Sequence, residues 1–206
     1  MTERKQANTV EELENFPFKT FAEFKKAALE GVAGLGVDRS VAMNWSYSGG
    51  LYASGSVKFK ATTFMLLPFI SVIGLIVYIF VTGSWWLFLS IPLIVILYFM
   101  FHPSAGMIFG PIRSFFIGLV FVGIAYSLYA SIPWMLALSI SLALIWYGQK
   151  SVYANGSKHL IEAANVHEDL LCKLWQRKAA NVQYFNGDYY WVDHKQVDGK
   201  YVHYDE

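Results

Sequence analysis

Charge is scarce in this sequence. Asp, Glu, Lys and Arg make up 15% of its 206 residues, against about 25% in ordinary soluble domains. The shortage is local. No charged residue lies between Lys60 and Arg113, a run of 52, or between Arg113 and Lys150, a run of 36. This distribution excludes an ordinary soluble enzyme and a disordered regulator. The formal net charge of +1 leaves no basic surplus for phosphate backbones, so no direct nucleic-acid binding is expected. Cysteine is nearly absent. Cys172 stands alone, so no intrachain disulfide can form. No nucleophile elbow, phosphate loop, HExxH pair or paired carboxylate lies in the apolar region. No enzymatic activity, cofactor or metal is therefore expected.

What the sequence does have is apolar length. Crossing about 30 Å of hydrocarbon takes about 20 apolar residues. Residues 61–149 hold room for four such spans, expected near 62–82, 85–101, 111–130 and 131–148. The expected fold is a four-helix transmembrane bundle of two antiparallel hairpins, with a small α+β module outside the membrane. Residues 1–60, 61–148 and 149–206 are the corresponding segments. The stretch before Lys60 is too polar for a cleaved signal peptide, so the first apolar run is expected to stay as an anchor.

Positive charge sets the expected orientation. Eight Lys and Arg precede the first span, seven follow the last, and Arg113 lies between the second and third. The positive-inside rule then places both termini and the middle joint in the cytoplasm. Trp85, Trp86, Tyr129 and Trp134 fall at the outer ends of the spans, and Tyr98, Trp146 and Tyr147 near the inner ends. The expected location is the cell (inner) membrane, crossed several times.

The spans carry no Asp, Glu or Lys. Ion-coupled transport uses buried ionisable groups, because an idle charge in lipid is costly. A pump is therefore disfavoured. Arg113 reads first as a topology determinant reaching the headgroups, and second as an inner-mouth contact for an anionic lipid. Ser71, Gly74 and Tyr78 recur at helical spacing. Ser114–Gly118 and Gly123–Ser127 are small-xxx-small pairs, which let helix backbones approach in lipid. All seven are assigned to helix packing, and the same pattern suits a homo-oligomer.

Outside the spans, Thr20 and Glu23 match a capping box and predict a helix over 20–33, ended by Gly34 and Gly36. Residues 37–60 read as loop with weak strand content. Loop is also expected over 102–110, with Pro111 at the first position of the third span and Ser131 capping the fourth. An amphipathic helix is expected over 158–181. Asn186-Gly187 and Asp198-Gly199 are hairpin turns needing positive φ at both positions. They predict a three-stranded meander with strands near 181–185, 188–197 and 200–204. Its register pairs Val197 with Lys200, Gln196 with Tyr201 and His194 with His203. The last pair amounts to half a zinc site with no evident completing ligand.

The meander is rich in aromatics. The expected alternation puts Tyr184, Tyr189 and Trp191 on one face, and Phe185, Tyr190 and Tyr201 on the other. A three-stranded sheet buries one face easily, which leaves the second for a protein partner. Tyr190, Tyr201, Phe185, His194 and His203 are the candidate partner-binding residues. The functional expectation is a non-enzymatic membrane component that anchors or senses at the bilayer and docks a cytoplasmic protein. Secretion or conjugation machinery, exclusion of incoming DNA and phage defence use such parts. A small oligomeric channel or membrane-perturbing effector gated by the tail is the alternative.

Overall fold

The computed structural model describes the backbone of residues 7–101 and 106–204, and the side chains of residues 7–99 and 114–204. The protein is mostly helical, with a small five-stranded antiparallel sheet. It divides into two compact units. Met1–Ser54 and Gly156–Glu206 form one, and Gly55–Asn155 the other.

The first unit joins the two ends of the chain. Helix α1 (Phe21–Leu29) starts where Thr20 Oγ1 accepts the Glu23 amide, as the capping box predicts. It stops short of the expected 33. The chain turns at Gly31, with φ +71, and enters strand β1 (Ala33–Val37). Ala33 and Leu35 are buried, so Gly34 and Gly36 belong to a strand and do not end the helix. The stretch from 37 is likewise not loop. Helix α2 (Arg39–Ser48) is capped by Asp38, whose carboxylate accepts the Ser40 and Val41 amides, and closed by left-handed Gly49.

The C-terminal part is also more divided than expected. Helix α7 (Glu168–Gln176) is separate, because the predicted 158–181 helix breaks at 165–167. There the Glu168 carboxylate accepts the Val10 amide. Strands β2 (Ala180–Tyr184), β3 (Tyr189–Tyr190), β4 (His194–Val197) and β5 (Lys200–His203) follow, and the sheet order is β1-β2-β3-β4-β5. The meander therefore has a fifth strand from the N-terminal segment, with Leu35 opposite Val182. The expected strand over 188–197 is a hairpin. Its Trp191 amide bonds the His194 carbonyl, and Val192 and Asp193 make the turn.

The two Gly turns differ. Asp198 and Gly199 both have positive φ, as expected, and the register they set matches the sequence reading. At Asn186-Gly187 only Gly187 is left-handed. The Gly187 amide bonds Tyr184 and the Tyr184 amide bonds Asp188. This is the three-residue loop with a glycine bulge, not the two-residue turn. The core of this unit gathers Phe24, Leu160, Leu171 and Trp175. Phe16 lies edge-on to Trp175, and the indole N–H donates to the Glu14 carbonyl.

The second unit is helical. Helix α3 (Gly55–Thr82) begins seven residues before the expected 62 and turns at left-handed Gly83. A short 3-10 turn (Trp85–Leu89) leads into α4 (Ser90–Phe101). Helix α5 (Gly106–Tyr129) starts before Pro111. The Gly106–Gly110 stretch is thus helix where loop was expected: an apolar tract without polar side chains keeps its amides paired by staying helical. Helix α6 (Pro133–Ala164) has 32 residues. Its cap is not Ser131, which takes φ +53 at the end of α5 and leaves Pro133 to open α6.

Among the described residues, α3 is the one helix both long and apolar enough to cross a membrane. Trp85–Phe99 and Ser114–Tyr129 form shorter apolar helices. Helix α6 is long, but its apolar part is diluted by Trp134, Trp146, Tyr147, Gln149 and Lys150. This finding supports one membrane-length helix and leaves the four-span expectation unconfirmed.

The second unit has an unusual distribution of side chains. Phe69, Ile73, Val77 and Phe80 on α3, Leu89, Leu93 and Ile96 beyond it, and Phe115, Val122 and Leu128 on α5 are exposed. Ser71, Ser127, Ser139, Ser141 and Gln149 are buried beside Leu75, Ile79, Leu87, Ile94, Leu97 and Ile145.

Candidate functional site

The sheet carries the densest chemistry. In antiparallel ladders directly paired residues share a face, so the register assigns every side chain. Ala33, Leu35, Val182, Tyr184, Tyr190, Lys195 and Val202 share the face that begins at the core. Tyr190 lies there half-buried, edge-on to Tyr184. Gln183, Tyr189, Gln196 and Tyr201 form a row across the opposite face, with His194 and His203 one step along.

This corrects the predicted grouping. Tyr184 sides with Tyr190, not with Tyr189 and Trp191. Tyr201 sides with Tyr189 and Trp191, not with Tyr190. Phe185 is on neither face. It stands 78% exposed in the hairpin loop, with its amide bonded to the Val32 carbonyl. The cause is the unforeseen turn at Val192–Asp193, which folds Trp191 back beside His194, together with the three-residue loop at 185–187.

The outer face is a connected aromatic cluster. Tyr189 stacks on Trp191, and Trp191 stacks on His194 at 4.4 Å between ring centroids. His194 meets Tyr201 at 6.1 Å and His203 at 5.6 Å. Asp193 anchors it. Its carboxylate takes a 2.7 Å bond from Lys178 and another of 2.7 Å from His194 Nδ1. These two bonds, Lys178 first, hold the Asp193 carboxyl at about 2. Since an ionised carboxylate only accepts, His194 donates through Nδ1, which in the neutral ring leaves the lone pair on Nε2. Beyond β3 the face turns to amides and glycine, with Gln183 donating to Asn181 beside Gly36. Asp193 is the member that sequence reasoning missed; Tyr189 and Trp191 are grouped together there, but not among the candidate partner-binding residues. The Asp-His adjacency was visible, but the turn that uses it was not.

A second cluster lies near the α6–α7 corner. Tyr52, at φ +65, lays its ring on His167 with centroids 3.6 Å apart and planes 2° apart. Its hydroxyl donates to Asp169 at 3.0 Å. Burial pushes the Asp169 carboxyl up, but bonds from Tyr52 and Lys173 outweigh it and leave the group below its ordinary value. The Asp169 bond in turn raises the Tyr52 hydroxyl. His167 and Asp169 thus share Tyr52, while Glu168 between them turns to the Val10 amide. Cys172 is buried. Desolvation, then the charges of Glu168, Asp169, Glu12 and Glu11, push its thiol up to about 12, which makes it a poor nucleophile.

The predicted packing residues of the helical unit divide. Ser71 is buried and bonds Pro68 O, while Ser141 Oγ donates to Ser71 O at 3.4 Å across the helices. Tyr78 is half-buried against the core. Gly123 is buried where a Cβ would lie 2.7 Å from Ser139 Oγ, and Ser127 donates to the Gly123 carbonyl. Gly74 and Gly118 face open space, and Ser114 is exposed. An equally close approach, this one to backbone, is one that the sequence reading missed. A Cβ on Gly148 would lie 2.7 Å from the Phe64 carbonyl oxygen. Arg113 falls within α5, and its side chain lies outside the described residues.

Among the described residues, no group of three or more His, Cys, Asp or Glu is placed to hold a metal ion. No family model, curated protein or solved structure matches the chain.

Proposed function

We propose that the chain is a multi-pass inner-membrane component whose sheet-bearing module docks a cytoplasmic protein. The observation that carries this reading is the inverted surface of the helical unit. Many large apolar side chains face outward, while serines, glycines and one glutamine are buried between the helices beside the Leu and Ile core. Water selects the opposite arrangement, and monomeric soluble proteins rarely expose contiguous apolar patches beyond a few hundred Å². Lipid removes the drive to bury large apolar groups and favours small residues where helices meet.

On this reading α3, the Trp85–Phe101 stretch, α5 and the first half of α6 are the four spans, with both termini cytoplasmic by the positive-inside rule. The exposed Gly74 and Gly118 leave outward notches that suit a homo-oligomer. The aromatic outer face of the sheet, tipped by Tyr201 at 67% exposure, has the Tyr and Trp content typical of interface anchors.

Thiol labelling tests the topology. With Cys172→Ala as background, an impermeant maleimide should label Ser84→Cys in intact cells, and Lys200→Cys after permeabilisation alone. Labelling of position 200 in intact cells overturns the topology. A photo-cross-linker at position 201 should capture a cytoplasmic protein in the membrane fraction, whereas the same probe at 190, on the core side, should not. Equal capture from both positions, or none from 201, overturns the docking surface.

A further inference from the structure

The histidine pair on the outer face has a geometry that docking does not require. His194 and His203 sit directly opposite each other on β4 and β5, with ring centroids 5.6 Å apart. Two imidazoles sharing one tetrahedral ion, with metal–nitrogen bonds of about 2.0–2.1 Å, hold their centroids about 5 Å apart. A small rotation of two half-exposed or exposed rings closes the difference. His194 is also already oriented. Its Nδ1–H is given to Asp193, and Asp193 is pinned by Lys178. Metal-bound histidines characteristically give their second nitrogen to a carboxylate in this way, which fixes ring and tautomer and leaves the other nitrogen as ligand. Trp191 stacks on the free flank of His194 and limits how far that ring can turn.

We propose that His194 and His203 form a two-imidazole half-site for a divalent transition metal ion of the zinc or copper type, with Asp193 orienting His194. No third His, Cys, Asp or Glu among the described residues joins them. The remaining positions are therefore open to water or to a ligand from a second molecule. That is the character of an exchangeable or shared ion, not of a closed structural site. The inference stands on the geometry of the pair and does not depend on the docking reading.

Zinc titration of the full chain in detergent micelles, purified without a polyhistidine tag, tests it. One ion bound per chain, or one per pair of chains, supports the proposal. His194→Gln and His203→Gln should each weaken zinc at least tenfold, and Asp193→Asn should weaken it about 10–100-fold, as loss of such a carboxylate does. His167→Gln should change nothing. Copper should quench the emission that Trp191→Phe removes. Zinc affinity unchanged in both histidine variants overturns the proposal, as does an ion retained by the double variant. Hydrogen exchange of the β4–β5 amides in the zinc-free variants separates the two ways a variant can fail. Wild-type protection means that a ligand was lost. Where protection falls, the exposed His203→Gln variant alone decides.

Discussion

At the scale of single residues, Asp193 does most of the organising on the outer face. It closes the β3–β4 turn, takes the Lys178 ammonium and orients His194. Its carboxyl is held at about 2, against an ordinary 3.8. A depressed pKa contributes stability that is fully present above the ordinary value and is lost as pH falls through the folded one. The hairpin should therefore loosen between about pH 4 and pH 2. The signal is the Trp191 emission, taken as wild type minus Trp191→Phe. Asp193→Asn should flatten the profile through this window, and a variant that keeps the acid transition would show that another carboxylate governs it. Cys172 is the counterexample: a lone thiol invites a reactive role, yet its burial and four acidic neighbours silence it.

At the scale of elements, the sequence was legible wherever one local signal settled the matter. The apolar run of α3, the Thr20 cap, the Asp198-Gly199 turn and its register all follow from periodicity, capping and turn chemistry. Legibility failed where local signals competed. Asp38 and Gly49 cap α2 at both ends, but scattered glycines and aromatics masked its weak amphipathicity. Gly34 and Gly36 resemble helix stops, and they become strand only because β2 lies alongside, a partner more than 140 residues away in sequence. Val192–Asp193 carries no turn glycine, so the hairpin that decides the aromatic grouping was invisible. The packing glycines make the same point. Spacing picked Gly74 and Gly118, which face open space, and passed over Gly148, which lies against the α3 backbone. Gly148→Ala should cost about 1–3 kcal/mol by overpacking. Gly74→Ala and Gly118→Ala, with open space for the methyl, should be neutral or stabilise by up to about 1 kcal/mol, because Ala is the better helix former. Reversible unfolding in mixed micelles measures all three, and equal effects would mean that α3 and α6 do not approach at Gly148.

At the scale of the whole molecule, the two units obey opposite rules of burial. The sheet-bearing unit buries Phe24, Leu171 and Trp175 and exposes its charges. The helical unit buries serines beside a small apolar core and leaves many Ile, Val and Phe side chains exposed. On the proposed reading the division of the chain corresponds to a division of environments, and substitutions should read it out directly. Ile73 is 60% exposed on α3, two residues from buried Ser71. In water, Ile73→Asp would be neutral or would improve solubility, since it removes apolar surface from contact with solvent. In lipid it places a charge near the middle of a span, at about 2.5–3.5 kcal/mol on insertion scales. The fraction of chain resisting alkaline extraction from membranes should therefore fall sharply for Ile73→Asp. Ser71→Ala, buried between helices in either solvent, should insert as well as wild type. An Ile73→Asp protein that inserts normally, or that becomes soluble and folded, would show that the inverted surface of the helical unit is not covered by lipid.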